Sequence, residues 1–201
     1  MKTPDETGTG ASSPQIALRP VGVVRSPLKE PSLVAADGDL TWKARADRES
    51  RRQSVVSEII VDPDLTGITE GLEDFSHVLV LYWAHRVPPE GRSLIKAHPM
   101  GRKDLPLVGI FATCSPARPN SVCATVVQLM ERNQNVLKVE GLDAIDESPV
   151  IDIKPYAPGY YPAGEVRIAP WMERIYREFG RDSTGSTTAD QAREAGKQPE
   201  G

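Results

Sequence analysis

A mainly β fold, built as a small closed β-barrel of short strands with a few short helices and one C-terminal helix, is what this sequence predicts. Three observations carry the prediction. Apolar and polar residues alternate in short runs such as LVGIFAT and NVLKVEGL, the period of a strand with one buried face. Turn-forming Pro, Gly, Asn and Asp separate these runs, with 18 Pro and 16 Gly among 201 residues. No regular strand–helix–strand spacing is present, which argues against a doubly wound sheet.

In chain order, strands are expected over 18–24, 54–60, 77–83, 108–112, 123–131, 136–141 and 150–153. The pattern is clearest around 136–141, where Val136, Leu137, Val139 and Leu142 flank Lys138 and Glu140. The spacing predicts a helix over 169–179: Pro170 suits a first turn, and Trp171, Ile175 and Phe179 recur every four residues as an apolar stripe that packs against the barrel or a partner. Segments 1–15 and 181–201 are rich in Ser, Thr, Gly and charge and too poor in apolar groups to offset ordering entropy. Both are expected to be disordered tails around one domain over 16–180.

Composition narrows the function. The first fifteen residues lack an apolar core, and no run approaches the roughly 18 apolar residues of a membrane span, so a soluble, cytoplasmic chain without a membrane partner is expected. Two cysteines, Cys114 and Cys123, are too few for a disulfide framework and have no zinc-site spacing, so no metal is expected. A net charge of −4 disfavours a broad basic surface for nucleic acid. A local patch of Lys43, Arg45, Arg48, Arg51 and Arg52 beside Trp42 is either a phosphate-binding surface or a solvated charged segment. G-x-G-x-x-G and phosphate-loop signatures are absent, so a nucleotide cofactor site, if present, is built by other means.

Three segments concentrate unusual chemistry. In FATCSPARPNSVCATVVQL, Pro116 and Pro119 restrict the backbone and hold Arg118 and Asn120 on a stiff loop, suited to gripping a small polar ligand or simply to a tight connection. In GLDAIDESPVIDIKPY, Asp143, Asp146, Glu147 and Asp152 crowd a short stretch; ligand hydroxyls or an ammonium would satisfy them, and so would backbone capping. The strand in GLEDFSHVLVLYWAHRV ends in His85 and Arg86, where His85 serves either chemistry or packing and His77 reads as structural.

The opening PVGVVRSPLKEP, the GLEDFSH turn, the strand ending in His85-Arg86, the FATCSPARPN loop and LDAIDESPVIDIKPY follow one another in an order and spacing that resembles the TsaA-like (TrmO) proteins, over roughly 16–158. The resemblance implies a β-barrel that binds S-adenosylmethionine beside a homodimer interface and methylates N6 of threonylcarbamoyladenosine in tRNA. It implies cofactor contacts from His85, Arg86, Cys114, Ala124, Asp143, Ala144, Ile145 and Asp146. Where the acceptor is a nitrogen that must lose a proton, a nearby carboxylate or imidazole serves as base, and Asp146 and His85 are the candidates. Arg118, Asn120, Lys154 and Tyr156 fall on the acceptor side. Two stretches depart from the family pattern: Ala-Thr-Cys114-Ser stands where members commonly read ATRS, and Ser121-Val122-Cys123 follows Arg118-Pro-Asn where they read PIG. Loss of a guanidinium fork at Cys114 leaves a small-molecule acceptor as an alternative to tRNA. A non-catalytic S-adenosylmethionine-binding module is the third reading.

Overall fold

The computed structural model describes residues 16–42, 55–157, 159 and 166–179; the two expected tails and the basic segment 43–52 lie outside them. Its strands are β1 (Gly22–Arg25), β2 (Leu33–Ala36), β3 (Asp39–Trp42), β4 (Val56–Val61), β5 (His77–Trp83), β6 (Lys96–Ala97), β7 (Val108–Gly109), β8 (Val122–Asn133), β9 (Val136–Glu140) and β10 (Pro149–Pro155), with helices α1 (Pro89–Arg92) and α2 (Pro170–Glu178). Six strands close into a barrel in the order β1-β10-β5-β8-β9-β4, and every neighbouring pair is antiparallel, including β4 back to β1. Closure removes the exposed edges that an open sheet of this size would present.

The alternation in the sequence is the cause of the barrel's filling. Val24, Ile59, Val61, Val78, Val80, Val127, Leu137, Val139 and Val150 are each no more than 2% exposed and fill the interior, one from every second position of their strands. Gly22 is required where β1 crosses close to β4, because a Cβ there would lie 2.5 Å from the carbonyl oxygen of Ile60. A second, smaller core of Leu40, Leu94, Ala97, Ile110 and Ala117 joins the β2–β3 hairpin to the β6–β7 ribbon beside the barrel.

Several boundaries differ from expectation for identifiable reasons. The strand expected over 18–24 begins only at Gly22; Pro20 has no N–H to donate, and the chain first joins the sheet when Val21 N–H donates to the Val150 carbonyl at 2.8 Å. The strand expected over 108–112 stops at Gly109, and Ile110–Ala112 turn into a 3-10 helix, closed when the Thr113 N–H and hydroxyl both donate to the Ile110 carbonyl. β8 runs on to Asn133, with an irregularity in register between Leu129 and Glu131. The β2–β3 hairpin was not expected; its two-residue turn is Asp37-Gly38, both at positive φ (51° and 73°). α2 occupies Pro170–Glu178 within the expected 169–179, with Ala169 as its N-cap. No helix among the described residues is long and apolar enough to cross a membrane.

Candidate active site

One end of the barrel gathers the C-terminal ends of β1, β5 and β9 and the N-terminal ends of β4, β8 and β10. A cleft of about 820 Å³ opens there, lined by Leu28, Tyr82, Thr125, Asp143 and Ile145 from the barrel end and by the second core and α2 from outside. Clefts that bury most of a small ligand run from roughly 300 to 1,000 Å³. The cleft floor is polar: the Tyr82 hydroxyl donates to Asp143 Oδ1 at 2.6 Å and the Thr125 hydroxyl donates to the same oxygen at 2.7 Å. Tyr82 and Thr125 occupy inward positions of adjacent strands, so the register of β5 on β8 brings both hydroxyls to the carboxylate.

One wall is the 113–121 loop, which is stiff because its side chains tie its own backbone. Ser115 N–H donates to the Thr113 hydroxyl at 3.2 Å, Ala117 N–H to the Ser115 hydroxyl at 3.2 Å, and the Ser121 hydroxyl to the Arg118 carbonyl at 3.3 Å. Arg118 Nη2 donates to the carbonyls of Thr113 and Ile110 at 2.8 and 3.3 Å, and its guanidinium lies 5.6 Å from the Phe111 ring centre. Arg118 is thus a strut of the loop as well as part of the cleft lining. Another wall is the 26–31 segment. Arg86 Nη1 fastens it by donating to the Lys29 carbonyl at 2.8 Å and to Glu30 Oε1 at 2.9 Å.

Of the residues singled out from the sequence, Arg86, Cys114, Ala124, Asp143, Ile145 and Arg118 meet at the cleft, and His85, Ala144, Asp146, Asn120, Lys154 and Tyr156 stand outside its lining. Asp146 is taken up by the fold: Oδ1 accepts the Ser26 N–H at 2.9 Å and Oδ2 the Lys29 ammonium at 2.7 Å. The Lys29 bond, then the Ser26 bond, hold its carboxyl below the usual carboxylate range. That geometry fastens the 26–29 wall and leaves it poorly placed to act as a base. Ala144 is 1% exposed in the barrel core. His85 Nδ1 lies 3.5 Å from the Ser148 hydroxyl. Asn120 is exposed, and Lys154 pairs with Asp152 on the outer surface of β10 at 2.5 Å. Tyr156 is 36% exposed just beyond β10.

Sequence reasoning missed Tyr82, Thr125 and the α2 side chains. The first two had a signal, since in ATVVQL and VLVLYW each falls on the same parity as the buried valines of its strand. For α2 the stripe was legible but not its destination.

Burial, then the nearby Arg86 charge, depresses the His85 pKa below its ordinary value of 6.5. The folded chain therefore releases this proton more readily than the unfolded chain. Stability from this group is present above about pH 6.5 and is lost as the pH falls through the folded-state value. An NMR titration of the imidazole is expected to give a midpoint below that of a free histidine; a midpoint at or above it would show an exposed or carboxylate-paired ring.

Residues 40–160 match the family model described as tRNA-methyltransferase O N-terminal domain. A "Probable S-adenosyl-L-methionine-binding protein" of Methanothermobacter thermautotrophicus is 43% identical over 145 residues, 72% of this chain and 93% of that protein. The Escherichia coli tRNA (adenine(37)-N6)-methyltransferase is 32% identical over 143 residues, covering 69% of this chain and 56% of that enzyme, so the match spans little more than half its length. The crystal structure of TrmO from Pseudomonas aeruginosa superposes with a TM-score of 0.54 at 27% identity, over 76% of this chain and 61% of that one. The matched region contains β4 to β10, and with them the Tyr82–Asp143–Thr125 floor and the stiff loop of the cleft: this chain belongs to the tRNA-methyltransferase O family.

Proposed function

We propose that this chain holds S-adenosylmethionine in the cleft at the barrel end and transfers its methyl group to N6 of a threonylcarbamoyl-type adenosine in tRNA. Its family and the names of its relatives make it an S-adenosylmethionine-dependent methyltransferase in kind. The observation that carries the siting is the cleft of about 820 Å³ with Asp143 on its floor. Its chemistry suits the cofactor: a carboxylate to accept from ammonium or ribose hydroxyls, and an apolar remainder for a flat ring and an aliphatic chain.

When bound, S-adenosylmethionine supplies an electrophilic methyl group on a sulfonium. The protein's part is to align and to exclude water, worth several kcal/mol where the reacting atoms are held in line. Asp143, oriented by Tyr82 and Thr125, accepts from the ligand. Arg86 and Asp146 hold the 26–31 wall in place, with Ala144 in the barrel core and His85 beside Ser148. Cys114, Ala124 and Ile145 line the cavity. Arg118 keeps the loop rigid on the acceptor side, and Asn120, Lys154 and Tyr156 lie outside the cleft, where a macromolecular acceptor reaches them and a small one does not. In this reading the enzyme is a cytoplasmic homodimer with tRNA as its partner.

The test is transfer of labelled methyl from S-adenosylmethionine to tRNA bearing threonylcarbamoyladenosine, repeated at rising salt. Label is expected in the nucleoside, with tRNA binding that weakens steeply as salt rises. Label in a small metabolite and none in tRNA would move the acceptor, a possibility raised by Cys114 in place of an arginine. Cofactor binding without transfer to any acceptor would reduce the chain to a binding module.

A further inference from the structure

α2 lies beyond the residues matched by the family model, yet it forms a wall of the cleft. Its apolar stripe (Trp171, Met172, Ile175, Tyr176 and Phe179) lines the same cavity as the polar Asp143 floor. Of these only Ile175 is buried, at 8% exposure, and Phe179 is 43% exposed. Aromatic side chains therefore stand partly uncovered against an open cavity, which is the arrangement a flat conjugated ring completes by stacking.

The flank of α2 beside this stripe is held by charge. Arg174 Nη2 donates to Asp104 Oδ2 at 2.6 Å and its Nε to Glu178 Oε1 at 2.9 Å. Arg102 Nη1 donates to Glu178 Oε2, and Arg102 Nη2 reaches both Asp104 Oδ2 at 2.6 Å and Glu178 Oε1 at 3.2 Å. Two arginines and two carboxylates thus form a closed network, and none of the four lines the cleft. Asp104 and Glu178 are held below the usual carboxylate range, chiefly by the Arg102 bonds. This network ties α2 to the 102–104 turn. Its members are 19–50% exposed, so salt screens it.

We propose that α2 is a specificity element of the site: its Trp171–Tyr176–Phe179 face is the wall on which the purine ring of a nucleoside ligand stacks, and the Arg102–Asp104–Arg174–Glu178 network is the positioning device that holds this wall in place. The proposal rests on the cleft being the S-adenosylmethionine site. Two nucleosides meet in such a site, the cofactor's own adenosine and the acceptor adenosine, and they share this chemistry.

The experiment is calorimetric titration of the full chain with S-adenosylhomocysteine, and of the chain saturated with S-adenosylhomocysteine with an N6-carbamoylated adenosine. It is run on the wild type, Trp171→Ala, Trp171→Phe and the double variant Asp104→Asn/Glu178→Gln, with circular dichroism melts as the folding control. Trp171→Ala is expected to weaken one of the two ligands by roughly tenfold or more, and Trp171→Phe to retain most of the affinity. Weaker S-adenosylhomocysteine binding assigns the wall to the cofactor's purine; an effect confined to the carbamoylated adenosine assigns it to the acceptor's. The double variant is expected to bind several-fold more weakly at low salt. Wild type at about 1 M salt, where the screening length is near 3 Å, is expected to fall to the variant's level. Trp171→Ala binding both ligands as the wild type does would overturn the wall, and a double variant indistinguishable from wild type at both salts would overturn the positioning role. A wild type that binds neither ligand would remove the cofactor reading itself, and the wall with it.

Discussion

Asp143→Ala is expected to weaken S-adenosylhomocysteine binding by about ten- to a hundredfold, with a comparable loss of methyl transfer, in a protein that still folds. Hydrogen bonds to a charged group are worth about 1.5–3 kcal/mol, which is a factor of ten to a hundred in affinity. Two hydroxyls converge on a single carboxylate oxygen here, at 2.6 and 2.7 Å, so the carboxyl plane is held by its neighbours before any ligand arrives. Preorganisation of this kind converts an acceptor into an aligned acceptor. Asp143→Asn separates two roles. Its amide oxygen still accepts from Tyr82 and Thr125, so the barrel end keeps its stability, but the negative charge is gone. Binding should therefore fall in Asp143→Asn while the melting temperature holds. Affinity equal to wild type in Asp143→Asn would show that the carboxylate charge is not used, and would leave Asp143 as a strut between β5, β8 and the 141–148 segment.

The parts of the fold that were legible in the sequence are those where one physical rule acts alone. Val136 to Leu142 alternate because β9 has one face in the barrel, and the stripe Trp171, Ile175, Phe179 recurs because α2 turns one face to the cleft. Legibility fails where tertiary partners decide. LVAADGDLTW has little alternation, since β2 and β3 sit on a small second core and their inward residues include Ala35 and Leu40; only the Asp37-Gly38 turn marked the hairpin. The candidate site divides in the same way. Asp143 and Asp146 are three residues apart in one acidic stretch, yet one meets two hydroxyls on the cleft floor and the other meets Ser26 and Lys29 outside the lining. Nothing local separates them. The difference lies in which distant elements each carboxylate encounters, Tyr82 and Thr125 in one case and the 26–29 segment in the other.

Asp39→Ala is expected to lower stability by roughly 2–4 kcal/mol, because a buried acceptor that serves four donors is removed at once. Asp39 is 7% exposed, and Oδ1 accepts the N–H groups of Leu40 at 2.7 Å and His98 at 2.9 Å. Oδ2 accepts His98 Nδ1–H at 2.6 Å and the Lys103 ammonium. Removal leaves buried N–H donors without a partner and cuts β3 from the turn after β6. Leu40, which lines the cleft and belongs to the second core, loses its anchorage with it. Burial alone would raise the Asp39 pKa, but donation from Lys103 and then from His98 and Leu40 outweighs it, and the carboxyl sits well below the usual range. The sign follows from linkage: a carboxyl with a depressed folded-state pKa contributes stability that is complete above the unfolded value of about 3.9 and is lost as the pH falls through the folded value. Urea midpoints of the wild type should therefore decline from about pH 4 downward. Asp39→Asn, uncharged at every pH, should start lower and decline less over the same range. Parallel decline in the two proteins would show that other carboxylates carry the acid sensitivity and that Asp39 is an ordinary turn residue.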